Sequence, residues 1–270
     1  MSKAAQLRAA LLALLEEHRA DNALPTCGRF LFYELVARAI ISKRPTGKRR
    51  ADQDMTDALT DLRESGTIPW QWIVDETRSL EDYSGYSTIE EGVLQRLNSI
   101  RLDPWDAEVP LILCESRSLA GCLRPLAYEY GIKSAPTNGQ CAGFLHTDIV
   151  PILKPRQRVL YLGDFDLAGN DIEANTHRVL KREVGELEWE RLALTREQVE
   201  RYSLPTIIKH DRRFKNGGAH DAVETEALSQ RIIIDIVRTR LEELLPESLE
   251  SVQERAEQQR AVIQRTLGGD

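Results

Sequence analysis

Helical periodicity of apolar and polar positions covers residues 4–20, until Leu24-Pro25-Thr26 breaks it. Thr26 is placed to cap a second helix over about 28–41. A third helix, about 51–65, carries Met55, Leu59 and Leu62 on one face and stops at Ser65-Gly66, where Thr67-Ile68-Pro69-Trp70 begins a short extended stretch. Residues 79–104 read as a connector with one helix at 88–99, closed by Asp103-Pro104. The texture then changes. An apolar run at 109–114 predicts a strand, 116–130 a helix, 131–136 a second strand or a loop, and 141–153 another helix. A buried strand over 159–166 and a helix over about 168–184 follow. Alternation of this kind implies βαβ units and a mostly parallel sheet, so the fold class is α/β. Beyond it, 195–202 is helical, 204–209 is one more strand, 210–220 is a loop, and 227–245 and 247–265 are helices.

Helix, turn, helix, Gly and a short strand outline a winged-helix module at 26–104, behind an N-terminal helix at 1–25 and ahead of an α/β domain with C-terminal helices at 105–270. Charge sharpens that outline. The chain has 270 residues and a formal net charge of −7, which argues against indiscriminate coating of nucleic acid. Yet between 29 and 50 the basic residues Arg29, Arg38, Lys43, Arg44, Lys48, Arg49 and Arg50 face only Glu34. Lys43, Arg44, Lys48, Arg49 and Arg50 are therefore the candidate phosphate contacts, with a solvated charged loop as the competing reading. No apolar stretch approaches the roughly 18–20 residues a bilayer span needs. The run at 9–15 is followed at once by Glu16, Glu17 and His18, unlike a signal peptide. Cys27, Cys114, Cys122 and Cys141 form no CxxC pair, which fits reduced thiols and a cytoplasmic location.

The candidate chemistry lies where apolar strands end. Glu115 closes the first strand of the α/β region, and Gly163-Asp164-Phe165-Asp166 closes a later one. Residues two apart on a strand point the same way, so Asp164 and Asp166 project together. Three converging carboxylates suit a hard oxygen-ligated cation, Mg2+ or Mn2+, at the edge of an open α/β sheet where ligands bind. The alternative for Asp166 is to cap the helix that follows. Taken alone, Tyr33 reads as a core aromatic, surrounded by Phe30, Leu31, Phe32, Leu35 and Val36.

Glu at the end of a first strand, then Asp164-Phe165-Asp166-Leu167-Ala168-Gly169 about fifty residues on, resembles the Toprim domain. The phrase from Gly163 to Ile172 looks most like the form in the A subunit of type IIB topoisomerases and in the meiotic double-strand-break transesterase. That family carries a winged helix with Arg-x-x-Tyr-Tyr; here the matching string is Arg29-Phe30-Leu31-Phe32-Tyr33. The later Val223-Glu224-Thr225-Glu226-Ala227-Leu228 is similar as well. The resemblance implies Tyr33 as nucleophile, Arg29 beside the scissile phosphate, and a cation on Glu115, Asp164 and Asp166. It also implies double-stranded DNA as partner in the nucleoid, and a homodimer in which one protomer's tyrosine meets its partner's metal.

The chain departs from the family in reading Asn138-Gly139-Gln140-Cys141-Ala142-Gly143 where a Gly-x-Gly-Tyr-Pro-Asp-like stretch is usual. It shows no P-loop and no GHKL-type ATPase pattern, so ATP-driven strand passage would need a separate ATPase subunit. Two other functions compete: a hydrolytic Toprim nuclease in which Tyr33 only packs, and a non-catalytic DNA-binding or scaffold subunit. Lys209-His210-Asp211-Arg212-Arg213 reads equally as a phosphate-contacting loop or a polar turn.

Overall fold

The computed structural model describes residues 2–43, 50–74, 82–106, 109–210 and 219–268. Helix α1 (Lys3–Ala20) starts on Ser2, whose Oγ accepts the Ala5 N–H at 3.2 Å. Its Leu7, Leu11, Leu14 and Leu15 pack on Leu31 and Leu35 of α2 (Gly28–Ala37) and on Met55, Leu59 and Leu62 of α3 (Gln53–Glu64). Helix α2 stops short of the expected residue 41. Ala39 takes a left-handed φ of 55°, and the N–H groups of Ala39 and Ile40 return to Val36 O and Leu35 O at 2.9 and 3.0 Å. That is a Schellman close, built here on alanine in place of glycine.

The extended stretch expected after α3 differs too. A turn at 65–68 leads to a 3-10 turn at Trp70–Trp72, and Ile73 makes one parallel bridge to Thr26. Among the described residues up to 74 this bridge is the whole of the β-structure, so the region stands as three helices and a bridge. A connector helix, α4 (Ile89–Ser99), follows, opened by a Thr88 cap.

The second region is a four-stranded parallel sheet ordered β2-β1-β3-β4: β1 (Leu111–Cys114), β2 (Lys133–Pro136), β3 (Arg158–Leu162) and β4 (Glu188–Ala193). Buried on both faces, β1 and β3 are runs of apolar and aromatic residues, apart from Arg158 at the start of β3. Their alternate residues feed two cores. Leu111, Leu113, Val159 and Tyr161 join Leu145, Ile149, Val179 and Leu180 on one side. Ile112, Cys114, Leu160 and Leu162 join residues of α5 (Arg117–Glu129) and α9 (Gln230–Leu244) on the other. Cys27 and Phe30 of the α2 segment belong to this second core, while Leu31 and Leu35 belong to the first region. Helix α2 is thus shared, and the Gln230 amide secures the join by donating to Ala23 O and Pro25 O at 2.6 and 2.8 Å.

Three other expectations change. The helix of 141–153 is broken into α6 (Ala142–Phe144), a π-turn at Leu145–Ile149 and a 3-10 turn at Val150–Ile152, where Pro151 lacks an N–H. The strand ladder of β3 stops at Leu162, not 166, although Phe165 stays paired by an isolated bridge to Val223. Strand β4 adds an edge that apolar patterning does not reveal. Helices α7 (Leu167–Val184) and α8 (Arg196–Arg201) flank it. Strands β5 (Ile207–His210) and β6 (Ala219–Ala222) pair as an antiparallel hairpin, and α10 (Leu249–Gly268) ends the described chain. Asp211, Arg212 and Arg213 lie outside the described residues. No helix among the described residues is long and apolar enough to cross a membrane.

Candidate active site

In the strand order β2-β1-β3-β4 the chain leaves the sheet in opposite directions from β1 and β3, which opens a crevice at their carboxyl ends. The residues that follow those two strands are Glu115 and Gly163-Asp164. Glu115 Oε2 accepts the Asp164 N–H at 2.9 Å, which fixes the two ends to each other. Asp164 Oδ1 in turn accepts from Thr225 N and Thr225 Oγ1 at 2.9 and 3.0 Å. Asp166 caps α7, its Oδ1 accepting the Gly169 N–H at 2.7 Å, so the helix-capping role weighed from sequence is real. Arg191 of β4 closes the back of the loop with bonds to Gly163 O and Asp164 O at 3.0 and 2.6 Å.

The electrostatics of these groups are those of crowded acids. Burial, and then the charges of Asp164 and Asp166, push the Glu115 carboxyl up to about 7. Burial likewise raises Asp164, with Glu224 adding to it, and raises the fully enclosed Glu226. All the donors are oxygens, the set a hard divalent cation takes. Two buried polar atoms near them, Tyr161 Oη and Glu226 Oε2, have no hydrogen-bond partner among the described residues, and the Glu115 charge is felt at Tyr161. The donor type therefore fits Mg2+ or Mn2+. Among the described residues, no three His, Cys, Asp or Glu side chains already stand in ion-binding geometry.

The Glu115 shift carries a pH dependence. The folded chain keeps a proton that the unfolded chain gives up near 4.5, so this stabilisation is complete below about 4.5 and lost as pH rises through about 7. Glu115→Gln removes the buried charge. In chelator it should raise folding stability at pH 8 by about 1–2 kcal/mol, after allowance for partial solvation, and with it the thermal midpoint, and leave both nearly unchanged at pH 5. Equal shifts at the two pH values would contradict a charge held at a cost.

Helix α2 delivers the other half of the site. Tyr33 is buried, and its hydroxyl donates to Glu224 Oε2. Arg29 lies one turn earlier on the same face. Its Nη2 reaches the same Glu224 oxygen at 2.8 Å and its Nε reaches Glu226 Oε1 at 3.2 Å. Ser116 Oγ also donates to Glu226 Oε1, at 2.8 Å. Burial works against the Arg29 charge, but Glu226, Glu224 and Asp164 outweigh it and hold the guanidinium protonated. Burial first, then the Glu224 carboxylate, push the Tyr33 phenol well above its ordinary value. Lys43 Nζ stands 4.4 Å from the centroid of the Tyr33 ring. Arg29, Tyr33, Lys43, Thr56, Ser118 and Glu224 line a cavity of about 480 Å³.

The structure thus gathers Arg29, Tyr33, Lys43, Glu115, Asp164 and Asp166 around one end of the sheet, within a single chain. Arg50 is exposed and pairs with Asp52 at 3.4 Å. Arg44, Lys48 and Arg49 lie outside the described residues. From sequence, Glu224 and Glu226 appear only within the string at 223–228, with no role in the site, and Arg191 does not appear at all. No protein-family model, curated protein or solved structure matches the chain significantly.

Proposed function

We propose that this protein binds duplex DNA and cleaves it by transesterification, with Tyr33 as nucleophile and a divalent cation, Mg2+ or Mn2+, held by Glu115, Asp164 and Asp166. The observation that carries the reading is the meeting of Tyr33 and Arg29 with a carboxylate-rich crevice at the carboxyl ends of β1 and β3. On this reading the N-terminal helices are a winged-helix relative and the sheet is a Toprim domain. Lys43, with Arg44, Lys48, Arg49 and Arg50, supplies the phosphate footprint.

Tyr33 Oη bonds to phosphorus, the bond from phosphorus to one deoxyribose oxygen breaks, and a tyrosyl phosphodiester and a free hydroxyl end result. Arg29 donates to the phosphate oxygens as charge builds on them. When bound, the cation polarises the phosphoryl oxygen and stabilises the leaving one. A homodimer would cut both strands, and strand passage would call for a separate ATPase subunit. One observation favours hydrolysis by water as the second reading: the buried Tyr33 phenol is harder to ionise than a free one.

Incubation with supercoiled plasmid and Mg2+ or Mn2+, stopped with detergent with and without protease, separates the readings. The expected product is nicked or linear DNA that carries protein until protease is added, and that EDTA prevents. Tyr33→Phe should abolish it, a loss of about 1,000-fold or more. Cleavage at an undiminished rate by that variant, without adduct, would establish the hydrolase. Full activity after replacing Asp164 and Asp166 with Asn would remove the acidic group from the chemistry.

A further inference from the structure

The geometry points to Glu224 as the general base that takes the Tyr33 proton within the same chain. This rests on the transesterase reading above and adds a catalytic group to it. A buried phenol does not ionise in advance, so its proton has to leave as the new bond forms, and the acceptor has to be in contact with it beforehand. Glu224 Oε2 is the carboxylate oxygen that accepts the Tyr33 hydroxyl.

Glu226 stands close by, but its side chain is fully enclosed and the Tyr33 hydroxyl bonds Glu224 instead; Arg29 braces both carboxylates, through Nη2 on Glu224 Oε2 and Nε on Glu226 Oε1. The Glu224 side chain keeps 20% of its surface exposed, on the wall of the cavity that Tyr33 also lines, so a proton it receives can pass on to water.

The backbone around Glu224 explains how it is aimed. Its predecessor Val223 exchanges two hydrogen bonds with Phe165, at 2.8 and 3.0 Å, and its successor Thr225 binds Asp164 Oδ1 through both N–H and hydroxyl. The base is thereby locked in register with the Asp164 loop from both sides. Tyr33 is locked to the same frame, because Gln230 holds the chain just before α2 and Phe30 is packed in the sheet's core. Nucleophile, base and acidic group are thus joined through contacts made within one chain.

In the forward step, Tyr33 Oη bonds to phosphorus while its proton passes to Glu224 Oε2. The phosphorus–deoxyribose oxygen bond breaks, its electron pair goes to the leaving oxygen, and that oxygen takes a proton from solvent. Resealing runs the same transfers backwards, the proton returning from Glu224 to Tyr33.

The test begins with single-turnover adduct formation on plasmid with Mn2+. Glu224→Gln keeps the shape and removes the basicity, and should slow the wild-type rate about 100- to 10,000-fold. Glu224→Asp, a carboxylate of shorter reach, should recover part of it. Wild-type protein that forms no adduct would sink the transesterase reading itself. Adduct from wild type, matched in rate by Glu224→Gln, would sink only the role of Glu224.

A second measurement needs no cleavage. With 13C at the tyrosine Cζ, the Tyr33 resonance of the DNA-free protein should move on Glu224→Gln and on Glu224→Asp. An unmoved resonance in both variants would refute the contact. Finally, mixing the Tyr33→Phe and Glu224→Gln chains should give no activity. Restored nicking would show that the base comes from the partner, and would overturn the same-chain assignment.

Discussion

Arg191→Met is expected to cost about 3–5 kcal/mol of folding stability and to leave whatever folded protein remains without the DNA cleavage proposed above. The Arg191 side chain is mostly buried beside an equally buried Glu173. Its Nη2 donates to Gly163 O and Asp164 O, its Nε to Leu194 O at 2.9 Å, and its Nη1 to Glu173. Glu173 is itself engaged by the Trp189 indole N–H at 2.8 Å. Removing the guanidinium therefore takes the donor from Asp164 O and Leu194 O and the counter-charge from a buried carboxylate at once. Gly163 O keeps the Leu194 N–H at 2.8 Å, and each stranded group costs more than the bond it made. Arg191→Lys should recover only part of the loss, because an ammonium on a flexible stem cannot serve the divergent carbonyls that a planar fork reaches. Denaturant unfolding in chelator measures the effect. A second variant with Glu173→Gln added should be less destabilised than the sum of the two single changes, because it removes the stranded charge. A cost under about 1 kcal/mol for Arg191→Met would mean that water replaces the guanidinium, and the claim that Arg191 holds the Asp164 loop would fall.

The same residue shows why part of the fold escaped sequence reasoning. Strands β1 and β3 are legible because both faces are buried and, after Arg158 at the start of β3, every position is apolar or aromatic. Strand β4 reads Glu-Trp-Glu-Arg-Leu-Ala, and its charges conceal it. Those charges are used laterally: Glu188 and Glu190 pair with Arg158 on β3, Glu190 also with Arg240 on α9, and Arg191 reaches the loop. Such partners are set by tertiary structure, and hydrophobic period does not report them. The site divides in the same way. Glu115, Asp164 and Asp166 could be found from strand ends, and Arg29 and Tyr33 from a resemblance carried by a short string. That Tyr33 would meet Glu224, 191 positions away, depends on how α2 is shared between two cores. For Asp166 the sequence posed cap and cation ligand as alternatives, whereas the geometry gives it the cap as well as a place near Glu115.

Gly169→Ala should destabilise the fold by about 1–3 kcal/mol and weaken both the proposed divalent-cation binding and the proposed cleavage, the latter by about 100-fold or more. Helix propensity alone predicts the opposite, since Ala is better than Gly inside a helix by about 1 kcal/mol. Here the added Cβ would come 2.5 Å from Asp164 O and 3.1 Å from Glu115 Oε2. Neither oxygen can give way cheaply: Asp164 O carries Arg191, and Glu115 Oε2 carries the Asp164 N–H. Helix α7 would have to withdraw, taking with it the Gly169 N–H that Asp166 caps. Gly143→Ala is the matched control, because a Cβ there, inside α6, meets nothing within 4 Å; it should leave activity unchanged and stability unchanged or raised by up to about 1 kcal/mol. Thermal unfolding and Mn2+ titration of the two variants give the comparison. If Gly169→Ala raised the midpoint as an ordinary helical substitution does, the first turn of α7 would be free to slide and the close packing of Glu115, Asp164 and α7 would be wrong. The glycine of Asp164-x-Asp166-x-x-Gly169 thus has a physical reason for its place. The second aspartate caps the helix through the glycine's own N–H, and only a residue without a Cβ lets that turn approach two carboxylate-bearing strand ends.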